Sequence, residues 1–234
     1  MVGTKNEAIR KAWLEKTLKS LPSGSRLLDA GAGELANKEY CEHLDYVSQD
    51  FCQYEGAGDS KGLQMGAWDT KQIDIVGDIT NIAAKDESFD VVLCSEVLEH
   101  LPNPVEALKE FKRLLKKDGK LILTAPFCSL THFAPYHFST GFNRYFYEHH
   151  LNDLAFRIEE VTINGNFFEY LGQEIRRIPI VSEKYSSKKR TFIERCKMKI
   201  LRVFFLKMLE SLSKKDKGSD ELLCFGYQVI AVKD

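Results

Sequence analysis

The sequence predicts an α/β domain built on a doubly wound, mostly parallel sheet with helices on both faces. Three observations carry that expectation. Short apolar runs of strand length alternate with stretches of helical periodicity. The first run, Leu27-Leu28-Asp29-Ala30, breaks into the glycine turn Gly31-Ala32-Gly33. An acidic residue, Asp50, follows about 20 residues later, at the end of the next apolar stretch.

Taken in order, Ala8 to Ser20 carries Ile9, Trp13, Leu14 and Leu18 near helical spacing, and Pro22-Ser23-Gly24 stops that helix. Leu27 and Leu28 open the first strand, and Tyr46-Val47-Ser48-Gln49 forms the second. Ile73-Asp74-Ile75-Val76 and Phe89-Asp90-Val91-Val92-Leu93-Cys94 are the next two, with the polar turn Asp86-Glu87-Ser88 between them. Pro104 opens a helix with Val105, Leu108, Phe111 and Leu115 on one face, Lys116 and Lys117 in its last turn and Asp118-Gly119 as its stop. Leu121-Ile122-Leu123-Thr124 is the fifth strand. Ligands of such sheets sit beyond the carboxyl ends of the strands, where Gly31, Asp50, Asp78, Ser95 and Ala125 all fall.

Composition bounds the function. A chain of 234 residues that is 44% hydrophobic can bury one substantial core, so residues 1–234 read as a single domain. A net charge of −1 and a pI near 6.6 argue against a dedicated nucleic-acid binder. Cys41, Cys52, Cys94, Cys128, Cys196 and Cys224 lack CxxC spacing, and Met1 to Lys5 carries no apolar signal region. Reduced thiols in a cytoplasmic protein are the expectation.

The glycine turn suits a nucleoside better than a pyrophosphate. In a GxGxxG loop the third glycine would fall at Ala36, and no Lys-Ser or Lys-Thr pair follows as a P-loop requires. Asp50 could take both ribose hydroxyls. Asp78, after Ile75-Val76-Gly77, could accept from an exocyclic amine while Ile79 packs on a purine face; the competing reading is a turn aspartate that caps the next segment.

These residues resemble the class I S-adenosylmethionine-dependent methyltransferases, of the type 11, ubiquinone-pathway-like kind and its uncharacterised bacterial members. The likeness rests on Leu28 to Gly33, Gly77-Asp78-Ile79, the run from Ser88 to Leu101, and Leu114 to Leu121. It implies a Rossmann-like, seven-stranded sheet closed by a reversed strand at Phe225 to Ala231. It also implies S-adenosylmethionine as cofactor: Asp29, Gly31, Gly33 and Ser95 near the methionine end, Asp50 on the ribose, Asp78 and Ile79 on the adenine. Leu35 stands where many relatives have a third glycine. No Asn-Pro-Pro-Tyr follows the fourth strand, which argues against methylation of DNA bases.

The acceptor side lies after the fifth strand, in the aromatic, proline-punctuated stretch from Thr124 to Phe138. His137 is the preferred general base for a hydroxyl acceptor, ahead of an amine, on a small molecule or glycan. Phe127, Phe133, Tyr136, Phe138, Phe142, Tyr145 and Phe146 are candidate pocket or core residues. Glu96, Glu99 and His100 would share one face of a helical turn and, with His137, offer ligands to a divalent ion. That pattern resembles the metal-dependent enzymes that methylate the terminal ribose of small RNAs, although it also occurs in metal-independent relatives. A further alternative is a non-enzymatic cofactor-binding module; the presence of both Asp50 and Asp78 favours an enzyme.

Residues 183–219 form a basic helical insertion before the last strand. Basic residues outnumber acidic ones about four to one from Lys184 to Lys217, alongside a broad apolar stripe. The segment reads first as a lid over the acceptor pocket or a homodimer contact, and second as a helix on an anionic membrane surface.

Overall fold

Leu27, Leu28 and Ala30 are wholly buried, as expected of a strand covered on both faces. The computed structural model describes residues 1–234. In chain order its elements are α1 (Asn6–Lys19), β1 (Arg26–Ala30), β2 (Asp45–Asp50), β3 (Ile75–Val76), β4 (Phe89–Ser95), α2 (Pro104–Leu114), β5 (Leu115–Pro126), α3 (Arg144–Asp153), β6 (Phe156–Asn164), α4 (Phe167–Tyr185), α5 (Phe192–Ser213) and β7 (Gly226–Lys233). They form two compact units, one of Lys11–Thr162 with Gly226–Asp234, the other of Met1–Arg10 with Ile163–Phe225.

The larger unit is organised by the sheet, whose strand order is β3-β2-β1-β4-β5-β7-β6. Strands β1 to β5 pair in parallel, and β7 runs antiparallel to β5. The chain winds outward from β1 through β2 and β3, then returns to place β4 on the other side of β1. That reversal opens a crevice beyond the ends of β1 and β4. Leu14, Leu18 and Leu21 pack with Leu27, Val91, Leu93 and Ile122 beneath it. On α2, Ala107, Leu108, Phe111 and Leu114 are fully buried.

Two boundaries differ from the sequence expectation. Lys116 and Lys117 belong to β5 and not to the last turn of α2: Leu115 pairs with Phe89, so strand pairing ends the helix at Leu114, and Asp118 turns the chain with φ of 61°. Strand β3 is only Ile75–Val76, because the Asp74 carboxylate accepts from Ser48 N (2.9 Å) and Ser48 Oγ (2.6 Å). The Asp74 side chain therefore takes the place of backbone pairing at Ser48, and β3 begins only at Ile75.

No helix lies between β2 and β3. Residues 51–74 run as an irregular segment that is fastened to the acceptor-side loop. Leu63 N donates to Thr131 O (2.9 Å) and Phe133 N to Leu63 O (3.0 Å). Asp59 N donates to Ala134 O (3.0 Å), and a Cβ on Gly58 would stand 1.9 Å from that same oxygen, so only glycine permits the approach.

The smaller unit is mainly the pair α4 and α5, which pack against each other. Asn166 caps α4 by accepting from Glu169 N (3.0 Å). Thr191 and Glu194 form a reciprocal capping box at the start of α5. This unit extends well beyond 183–219.

Candidate active site

The glycine turn folds back on β2, with Gly31 N and Ala32 N both donating to Gln49 O (2.8 and 2.9 Å). Gly31 has φ of 79°, and a Cβ there would lie 2.4 Å from Val97 Cγ2, so the position requires glycine. The Asp50 carboxylate is drawn into the same turn. It is 7% exposed and accepts from Gly33 N (3.0 Å) and Cys52 N (2.8 Å).

Asp29 is 1% exposed, and its carboxylate accepts from the Tyr46 hydroxyl (2.7 Å). Burial pushes its carboxyl up to about 6, against the opposing pull of hydrogen bonds from Tyr46 and Asn37. Asp78 is exposed, and its Oδ1 accepts from Thr80 N and Thr80 Oγ1, both at 2.8 Å, which is the geometry of a turn cap. Ile79 is buried. Ser95 donates to Thr124 Oγ1 (2.9 Å), which in turn donates to Glu96 Oε1 (2.9 Å).

The structure adds a residue that the sequence reading did not single out. Gln49 Nε2 donates to Gly77 O (2.7 Å), and its Oε1 is buried without a partner beside the Gly77-Asp78 segment. Its sequence signal was an amide near the end of a buried strand, which needs a polar partner.

Above the strand ends stands a wall of rings. Tyr54 and Trp68 from the irregular segment meet Phe133, at centroid distances of 4.4 and 5.1 Å. Phe133 meets His100 at 5.0 Å, and His100 meets His132 at 4.7 Å. Tyr136 packs edge-on against Phe51 (4.9 Å). Of the other aromatic candidates, Phe142 is buried while Phe138 and Tyr145 face solvent.

The hydrogen bonds define which histidine nitrogens carry lone pairs. His100 Nδ1–H donates to Tyr136 O (2.5 Å) and His132 Nδ1–H to Leu130 O (2.8 Å). Both therefore turn Nε2 toward Glu99 Oε1, at 3.8 and 3.9 Å. Burial pushes the His100 imidazole down to about 3. The Ser129 hydroxyl donates to Thr140 O (2.9 Å), so its oxygen accepts from His137 Nε2–H (3.2 Å), which leaves the lone pair on His137 Nδ1. Burial, with His132 nearby, holds His137 below the ordinary imidazole range.

Glu96, Glu99 and His100 do not share a helical face. Glu96 has φ of 56° and precedes the short 3-10 turn Leu98–His100, so its carboxylate turns to Thr124. The group that comes together is Glu99, His100 and His132, whose ligand atoms all lie within 4.8 Å of one another. His132 thus takes the place expected of His137 as the downstream histidine, and Glu96 drops out of the group. His137 lies alongside, its ring 4.8 Å from that of His132.

Residues 28–123 match the family described as a methyltransferase domain. The chain is 34% identical over 160 residues to a demethylmenaquinone methyltransferase of Renibacterium salmoninarum, covering 67% of this chain and 61% of that one. It is 46% identical over 46 residues to a ubiquinone biosynthesis O-methyltransferase of Haemophilus ducreyi, 20% of either chain. The chain spans less than two thirds of the length of the curated relatives it matches. In fold it is similar to an S-adenosylmethionine-dependent methyltransferase from Archaeoglobus fulgidus, with a TM-score of 0.56, 17% identity, and coverage of 97% of this chain and 94% of that one. The sheet and its switch point share the fold of that structure. Residues 28–123 are a methyltransferase domain of the S-adenosylmethionine-dependent kind.

Proposed function

We propose that the protein transfers the methyl group of S-adenosylmethionine to a hydroxyl of a small-molecule or glycan acceptor. The observation that carries this reading is Asp50, buried at the switch point with two of its roughly four lone-pair sites used by Gly33 and Cys52. The remaining sites suit the two hydroxyls of a ribose. Gln49 Oε1 and Asp78 offer acceptors for an adenine amine, with Ile79 alongside, and Asp29, Gly31 and Ser95 border the methionine end. When bound, the cofactor supplies a methyl activated on a sulfonium.

The protein's part is alignment, exclusion of water and removal of a proton. His137 is neutral at physiological pH, and its Nδ1 takes the acceptor proton while Ser129 fixes the ring. The partly exposed rings of Trp68, Phe133 and Tyr136, with Tyr54 packed behind Phe133, give the acceptor an aromatic wall. Relatives named for O-methylation in ubiquinone biosynthesis and for methylation of demethylmenaquinone support a small-molecule acceptor.

Calorimetric titration with S-adenosylmethionine and its demethylated product tests the cofactor; no heat with either refutes the reading. His137→Ala lowers turnover about 100-fold or more while cofactor affinity stays unchanged, and equal turnover removes His137 as the base.

A second reading is favoured by the anchored imidazoles. His100 and His132, each fixed by its Nδ1–H to a backbone carbonyl and turned toward Glu99, present a mixed nitrogen and oxygen donor set for a divalent ion. Such an ion would polarise the acceptor hydroxyl. Elemental analysis of the purified protein and of His132→Ala decides it, since a metal that stays in the variant is bound elsewhere.

A further inference from the structure

Helix α5 is apolar on two opposite sides. Met198, Arg202, Leu206, Leu209 and Ser213, spaced three or four residues apart, are buried or half-buried and form its inward stripe. On the opposite side Ile193, Ile200, Phe204 and Met208 are 65%, 71%, 64% and 41% exposed. Lys197 and Lys207 lie within that same outer arc and are exposed. A helix with a second, exposed apolar side offers that side to a partner. Phe192 at the start of α5, and Ile180 and Tyr185 near the end of α4, also face solvent.

Charge identifies the covering. Between Lys184 and Lys207 there are nine basic residues and a single acidic one, Glu194. A second copy of the chain docking through the same face would bring two surfaces of like charge together, with Lys197 and Lys207 of each copy uncompensated. A nucleic acid would meet the cations and leave the aliphatic side chains unmatched. No helix is long and apolar enough to cross a membrane. An anionic bilayer surface satisfies both features, since acyl chains accept the apolar arc and lipid phosphates accept the cations.

We propose that the helical unit docks on an anionic lipid bilayer through the outer side of α5, with Ile200 and Phe204 in the acyl boundary and Lys197 and Lys207 at the headgroups. This inference is independent of the catalytic reading, because none of its residues belongs to the candidate active site.

The test is co-flotation of the full chain with vesicles of phosphatidylcholine alone and of phosphatidylcholine mixed with phosphatidylglycerol. Binding is expected on the mixed vesicles and not on the neutral ones, weakening as salt rises. Each cation removed, Lys197→Gln or Lys207→Gln, lowers partitioning roughly fivefold. Ile200→Ser with Phe204→Ser lowers it at least tenfold without moving the melting temperature, since both side chains face solvent. In a Phe204→Trp variant, made alongside these, indole emission shifts to the blue on the mixed vesicles. Three results would overturn the proposal: no flotation with anionic vesicles; flotation unaffected by the Ile200 and Phe204 changes; or a dimer in solution that the same two changes dissociate.

Discussion

Asp29→Asn should make the protein more stable at neutral pH, although it replaces a charged residue beside the glycine turn. The Asp29 carboxyl is raised from an ordinary 3.8 to about 6 because it is buried. Between those values the folded chain holds a proton that the unfolded chain has released, so stability falls as pH rises through that window. Two units at about 1.4 kcal/mol each come to about 3 kcal/mol withheld above pH 6 and recovered below pH 4. Asparagine has the same shape, can accept from the Tyr46 hydroxyl through Oδ1, and carries no charge to desolvate. For a chain of this size the gain corresponds to roughly 6 to 12 °C in melting temperature. Thermal unfolding of both proteins across the acid range is the assay: the gap should be full near pH 7 and closed near pH 4. A variant no more stable than the parent at neutral pH would refute the burial argument, as would a gap that persists in acid. On the proposed function the same variant binds S-adenosylmethionine more weakly, because the carboxylate faces the cofactor's amino end.

Asp50→Ala should weaken cofactor binding by about 1.5 to 3 kcal/mol through lost charge-assisted bonds, read by calorimetry; unchanged affinity would place the ribose elsewhere. Gly31→Ala should abolish cofactor binding and lower the melting temperature, because the added methyl collides with Val97 in a left-handed backbone conformation; normal binding would show that the turn can shift. Tyr46→Phe should destabilise the fold by about 1.5 to 3 kcal/mol at pH 7 and by less in acid, where Asp29 is protonated in both states. A pH-independent loss would mean that Tyr46 acts by packing alone.

The strands that build the switch point were legible in the sequence because they are buried on both faces and read as unbroken apolar runs. Leu27-Leu28 and Val91 to Cys94 show this, and so does α2, with its Pro104 start and its buried Leu108 and Phe111. Asp50 was legible for the same reason: its place at the end of such a run fixes its place at the crevice. What escaped depends on tertiary contact. Residues 51–74 have neither helical nor strand periodicity, so nothing local announced that Tyr54 and Trp68 would stack on Phe133. The pairing of His132 with Glu99 and His100 depends on Leu63 holding the distant loop in place. Glu96 misled because its left-handed backbone breaks the helical spacing on which its grouping with Glu99 relied. The reach of α4 and its packing on α5 were hidden in the same way, since the charge run marks only the second half of that unit.

The fastening of residues 51–74 to the loop at 131–134 has a thermodynamic consequence. One strip of chain begins next to Asp50 and Cys52; the other carries His132 and leads to His137. Because Leu63 and Asp59 bind their backbones together, neither strip can be ordered without ordering the other. A ligand seated at Asp50 would therefore lower the entropic cost of seating an acceptor near the histidines, and the acceptor would tighten the first ligand by the same factor. Positive cooperativity of this kind requires no movement of the sheet, only that the two strips order as one.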